Sequence, residues 1–261
     1  MRTLAIFLVL MCAASELQAQ AVEIRNEIAD GHVKIWVKNN LPCHSQISAQ
    51  SPDIDRTFQQ FLPKATERVV VQLPADSVDD VQTFKDELKY NIVLGKFDAI
   101  PDPHYRYMLP YPQGTTHPLI QGNNGSHTHN TKGSMHAYDF EMPEGSFVSA
   151  VRGGVVGYIN DSNTEGGDDR SYMDKVNVIM VCHDDGTVAV YAHLKHQGAL
   201  VNIGEHVFAG QVIGLSGNTG YTTGPHLHFA LMVGESSVPV RFKNLPDELV
   251  EGQSYEQNFD Y

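Results

Sequence analysis

The sequence predicts an all-β chain in which a small N-terminal β-domain precedes an antiparallel sheet domain. Two observations carry this. Short apolar runs with period-two alternation, such as residues 33–37 and 69–73, are punctuated by turn formers such as Asn39-Asn40 and Pro52-Asp53. Past position 145 the same pattern recurs with glycine-containing turns and without a convincing amphipathic helix. The 261 residues, 41% of them hydrophobic, suffice for a packed core. A formal charge of −13 argues against a nucleic-acid partner, because binders of the phosphate backbone concentrate Lys and Arg.

In chain order, residues 1–21 read as a secretory signal peptide: Arg2, a short apolar run, and the small residues Ala19 and Ala21 at a cleavage site. That run is too short to span a bilayer, and no later segment comes close, so no membrane span is expected. Residues 22–100 form the N-terminal β-domain, with Trp36 as a core anchor and a short helix over 77–88 capped by Ser77. Residues 101–118 hold five prolines among Tyr105, Tyr107 and Tyr111 and read as a stiff connector, or else as one wall of a groove. The working domain is residues 119–240, with a tail over 241–261, and eleven of the 13 histidines fall after position 100. Cys43 and Cys182 remain after the leader and can either pair or sit as two buried small hydrophobes.

The chemistry gathers at Gly214-Leu215-Ser216-Gly217-Asn218-Thr219-Gly220-Tyr221-Thr222-Thr223-Gly224-Pro225-His226-Leu227-His228-Phe229. Glycines and threonines make a loop, Pro225 fixes its exit, and the alternation after it is a strand. Residues two apart on a strand share a face, so His226 and His228 are neighbours while Leu227 and Phe229 point into a core. A hydrolytic metal site needs about three protein ligands, an open position for water and a base. His127, His129, Asp139 and His193 supply further candidates, whereas His183 and His206 lie beside turns and read as solvated.

These residues carry a resemblance. Gly145-Ser146-Phe147-Val148-Ser149-Ala150 with Gly153-Gly154-Val155-Val156, then Tyr191-Ala192-His193-Leu194, the glycine-bearing 204–217, and Gly224-Pro225-His226-Leu227-His228-Phe229 are together similar to the LytM/lysostaphin-type zinc metallopeptidases that cut peptidoglycan peptides. The match covers about residues 119–235. It implies a β-sheet core with a narrow groove and one zinc ion held by a His, an Asp and the second His of His-x-His. Asp139 and His228 are then ligands, His226 the general base, and His193 the partner that stabilises the charged intermediate.

This chain departs from the family at the first ligand. Many members place a His four residues before the Asp, whereas His136 stands three before Asp139. The run Ser126-His127-Thr128-His129 resembles a subgroup in which His129 is the ligand; His127 and His136 stay open as alternatives. The resemblance implies a zinc endopeptidase acting on peptidoglycan stem peptides or cross-links, and the signal peptide together with the lack of repeated wall-binding modules makes the periplasm the expected location. Two other classes remain: an inert peptidoglycan-binding regulator of another hydrolase, and a periplasmic metal carrier.

Overall fold

Along His32–Asn39 buried and half-exposed residues strictly alternate, placing Val33, Ile35 and Val37 on one face with no exposure. The computed structural model describes residues 22–51, 57–125 and 128–258, so the expected leader and His127 lie outside the described residues. His32–Asn39 pairs antiparallel with Val22–Ala29 and with Glu67–Pro74. The Asp30-Gly31 turn joining the first two has positive φ at both residues, 54° and 73°, the geometry that matches a hairpin's twist. A second sheet of Thr57–Leu62, Ser45–Gln50 and Lys89–Leu94 faces the first across a core that includes Ile47, Leu62 and Ile92.

Two expectations for this unit are corrected. Trp36 is on the outer face of its hairpin, partly exposed, donating Nε1–H to Glu27 Oε2 at 2.9 Å beneath the Arg25 guanidinium, 4.5 Å from the ring centroid. Strand parity decides this: Trp36 falls between the inward Ile35 and Val37. The helix is Val81–Glu87, and Asp80 caps it by accepting from Gln82 N; Ser77 closes an earlier 3-10 turn through Pro74 O.

Among the described residues, nine strands form the central sheet of the second unit. Their order is His206–Val207, Gly154–Asn160, Val178–Cys182, Val188–Ala192, His226–Val233, Tyr138–Glu141, Thr116–Gln121 and Ser254–Glu256, with Ser236–Val238 also paired to His226–Val233. Every one of these pairings is antiparallel. A smaller antiparallel sheet of Leu194–Ala199, Val212–Ser216 and Phe147–Ser149 stands beside it. The sheet's two faces serve different ends. Leu227, Phe229, Leu231 and Tyr191 point into one core, and Tyr107, Leu109 and Tyr111 of the proline-rich stretch are buried in that same core with Phe242 and Tyr255 of the C-terminal segment. Ala230, Met232, Val188 and Met180 point the other way and join the core of the N-terminal unit.

The two units are also joined covalently: Cys43 and Cys182 form a disulfide, with Cα atoms 6.3 Å apart. Gly157 makes room for it, since a Cβ there would lie 2.7 Å from Cys182 Sγ and 2.9 Å from Cys43 Sγ. The next residue, His183, is buried instead of solvated, at 4% exposure. Its Nδ1–H donates to the Gly153 carbonyl at 2.9 Å, and its Nε2 has no partner.

Burial pushes the His183 imidazole down to about 4; Arg152 adds to the lowering, while the Gly153 bond, Asp185 and Asp184 oppose it. Below its ordinary value near 6.5 the unfolded chain therefore takes up a proton that the folded form refuses. This contribution is intact above about pH 6.5 and drains as pH falls toward 4, by roughly 3 kcal/mol at about 1.4 kcal/mol per unit. Urea unfolding at pH 7 and pH 4.5 should show that loss, and His183→Asn should flatten it. An unchanged acid slope in the variant would mean that other groups set it.

Candidate metal centre and groove

Cross-strand register builds the centre: His228 lies opposite Asp139 on one side and opposite Ala192 on the other. Because His226 and His228 share a face, both imidazoles stand on the side of the sheet away from Leu227 and Phe229. His228 Nδ1 is 2.8 Å from Asp139 Oδ1. The buried Asp139 carboxylate also accepts from Gln121 Nε2 at 3.0 Å, through Oδ2. Burial alone would raise its pKa, but the charge of His228, the hydrogen bond from His228 and the nearby His129 charge hold it well below the usual carboxylate range. Burial pushes His228 down.

His129 reaches the same point from a compact turn. Ser134, fully buried, ties the turn together by donating to Thr128 O at 2.8 Å, and Met135 N donates to Thr131 O at 2.8 Å. The His129 ring has no exposure. Its Nδ1–H donates to the Gly122 carbonyl at 2.8 Å, which leaves Nε2 directed at Asp139 Oδ2, 3.2 Å away. That Nε2 makes no aligned hydrogen bond. Burial disfavours the charged ring, yet the Asp139 carboxylate outweighs this and raises its pKa. One donor atom each from His129, Asp139 and His228 lies within 4.8 Å of the others. An orphaned, fully buried imidazole nitrogen facing a carboxylate and a second imidazole suits a divalent ion taking nitrogen and oxygen ligands, and the Gly122 bond is the outer partner that fixes such a ligand's tautomer.

The structure places His136 elsewhere, in the turn before Tyr138–Glu141, where its backbone N–H donates to Ser237 Oγ at 3.0 Å. His206 is exposed, as expected. Asp184-Asp185-Gly186 is a turn, with Asp185 accepting from Thr187 N and paired with Arg152. Asp169 of the acidic pair at 168–169 caps the 3-10 helix Arg170–Lys175.

Two further imidazoles stand beside the three donors. His193 follows Val188–Ala192 with φ of +61°, a left-handed backbone that costs a non-glycine residue on the order of 1 kcal/mol or more and gathers at working sites. Its Nδ1–H donates to Thr219 O at 2.7 Å. Burial, then the neighbouring His226 and His228, pushes its pKa down to about 3. His226 donates Nδ1–H to Gly224 O at 2.8 Å, and the two rings lie 4.5 Å apart between centroids. A carbonyl oxygen can only accept, so each neutral ring carries its proton on Nδ1 and keeps Nε2 as a lone pair. His193 becomes a donor at Nε2 only after it has taken up a proton.

A cavity of about 470 Å³ adjoins these residues. Besides Asp139, His193, His226 and His228, its lining includes Gln121, Thr128, Arg170, Thr222 and, from the N-terminal unit, Val93 and Leu94. The groove residue Arg170 and the wall from the N-terminal unit are absent from the sequence reading, and Gln121 has no role in it. Only the register Gln121↔Asp139 brings the glutamine to the carboxylate, and nothing in spacing signals it.

Residues 133–240 match the model of peptidase family M23. Lysostaphin of Staphylococcus simulans is 40% identical over 107 residues, covering 40% of this chain and 20% of that protein. The peptidoglycan DD-endopeptidase ShyA of Vibrio cholerae is 37% identical over 108 residues, covering 41% and 22%. This chain thus spans about a fifth of the length of these relatives. The crystallised catalytic domain of lysostaphin from Staphylococcus simulans is 32% identical, with 51% of this chain and 85% of that one covered and a TM-score of 0.31. Asp139, His193, His226 and His228 all lie inside the family match, which begins four residues after His129, so the likeness to peptidase family M23 rests on this second unit.

Proposed function

We propose that this chain is an exported, zinc-dependent metalloendopeptidase that hydrolyses peptide bonds in peptidoglycan stem peptides or cross-links, working in the periplasm. The observation that carries the reading is the convergence of His129 Nε2, the Asp139 carboxylate and His228 Nδ1 beside two imidazoles whose Nδ1 protons are tied to backbone carbonyls. Peptidoglycan as substrate is supported by the named activity of the Vibrio cholerae relative, and export by the leader-like residues 1–21.

His129, Asp139 and His228 would hold the zinc, which when bound polarises a scissile carbonyl and lowers the pKa of a water to about 7. The chain's own groups handle the proton. His226, with Nε2 free as an acceptor, takes it from the attacking water. His193 starts neutral and supports the developing oxyanion through Nε2 once the proton that His226 took from the water has passed to it, the two rings being 4.5 Å apart. Gln121 keeps the Asp139 carboxylate oriented.

Purified protein loaded with zinc and incubated with isolated muropeptides should yield new amino- and carboxyl-terminal fragments by mass spectrometry, abolished by chelation and restored by zinc. Zinc-loaded protein that leaves every muropeptide intact would favour an inert binding role.

A further inference from the structure

The groove runs from the imidazoles toward the N-terminal unit. From His228 the floor continues along the same face of its strand to Ala230 and Met232, and on the neighbouring strand from Ala192 to Val190 and Val188. Four residues of strand cover roughly 13 Å at about 3.3 Å per residue. At the far end Val93 and Leu94, from the last strand of the N-terminal unit, line the same cavity. None of these six side chains beyond Ala192, namely Val190, Val188, Ala230, Met232, Val93 and Leu94, carries a charge or a hydrogen-bond donor.

This end wall is fixed in place. Lys96 N donates to Gly186 O at 2.9 Å, and Asn91 Nδ2 donates to Glu235 Oε1 at 3.2 Å, both across the two units. Gly95, at φ +83°, lies where an added Cβ would clash with the Gly186 carbonyl and come within 2.8 Å of Val188. The Cys43–Cys182 bond lies alongside: Leu94 Cδ1 and both sulfurs crowd the same Gly157 position. Leu94, Val188 and Met232 share one buried core.

We propose that the N-terminal unit turns the groove into a blind, apolar slot that sets specificity: on that side of the scissile bond the chain accepts about four residues, prefers apolar side chains, and excludes a strand that continues. The proposal rests on the peptidase reading only for what enters, since the slot opens at the catalytic imidazoles and its occupant is the substrate strand itself. An extended peptide of four residues matches the 13 Å run and sends alternate side chains onto Ala230 and Met232. Glycine there leaves the apolar floor unused; alanine or leucine covers it.

The test uses synthetic peptides that differ only by glycine against alanine or leucine at each of four positions on either side of the scissile bond, and the same peptides prolonged by four glycines at one end. Binding to chelator-stripped protein is measured by calorimetry, and kcat/KM with zinc. On one side only, the apolar residue should improve both by about 10-fold or more, and prolongation should cost as much. Val190→Ser, a half-buried floor residue outside the catalytic set, should erase the apolar preference, and Leu94→Ala should relax the length limit. Equal binding of glycine and apolar peptides, no binding of either, or a preference untouched by Val190→Ser overturns the slot. Cleavage without preference leaves the peptidase reading standing and sinks the slot, whereas apolar-selective binding without any cleavage does the reverse.

Discussion

Replacing Asp139 with alanine is expected to reduce bound zinc from about one ion per chain to less than about a tenth, and turnover by more than about 1000-fold, since removing even an outer partner of a metal ligand costs about 10- to 100-fold. Asp139 touches both imidazoles: its two oxygens face His228 Nδ1 at 2.8 Å and His129 Nε2 at 3.2 Å. Without it two buried rings face each other with no anion between them. His129→Ala should lose the metal as well, while His136→Ala should keep it, because His136 lies outside the donor group. Elemental analysis after dialysis decides the matter, with circular dichroism to show that each variant is folded. Stoichiometric zinc in Asp139→Ala, or its loss in His136→Ala alone, would move the centre elsewhere.

The second large effect falls on turnover without touching the metal. His193→Ala and His226→Ala should each retain zinc and lower kcat by about 100- to 10,000-fold, the range for losing a general base or a stabilising donor. Both rings anchor through Nδ1 to loop carbonyls, at Thr219 and Gly224, and not to the donor group. His193→Ala leaves the left-handed backbone strained, since alanine too has a Cβ, so only a modest change in melting temperature is expected alongside. A variant that lost its zinc would exchange the roles of ligand and base.

The strand carrying His226 and His228 was legible because alternation has one meaning on a pleated surface: once Leu227 and Phe229 are given to a core, the histidines must share the other face. Most of the second sheet was legible for the same reason, with its glycine turns marking the ends. The choice of His129 was not readable from the residues themselves, since it depends on a turn closed by Ser134 and Thr131, whose hydrogen bonds leave no trace in periodicity. Trp36 misled because size suggests burial, while strand parity put it outside under Arg25. His183 misled in the opposite sense, a polar residue beside a turn that is held in by the Gly153 carbonyl. The tyrosines of the proline-rich stretch, buried against Phe242 and Tyr255, depend on contacts more than 100 positions away in the chain, beyond any local pattern.

Cys43 and Cys182, 139 positions apart, close a covalent ring that leaves one segment before Cys43 and a tail after Cys182. The ring contains His129 and Asp139; the tail carries His193, His226 and His228. The candidate donor set is therefore assembled by bringing the tail's strand against the ring, and neither part holds all three donors. Closing a ring of this size removes about 5 kcal/mol of unfolded-chain entropy in the loop-closure model. A protease that cuts near Ile100, which is 87% exposed, opens the ring yet releases no piece, so the end wall of the groove stays attached until a reductant arrives.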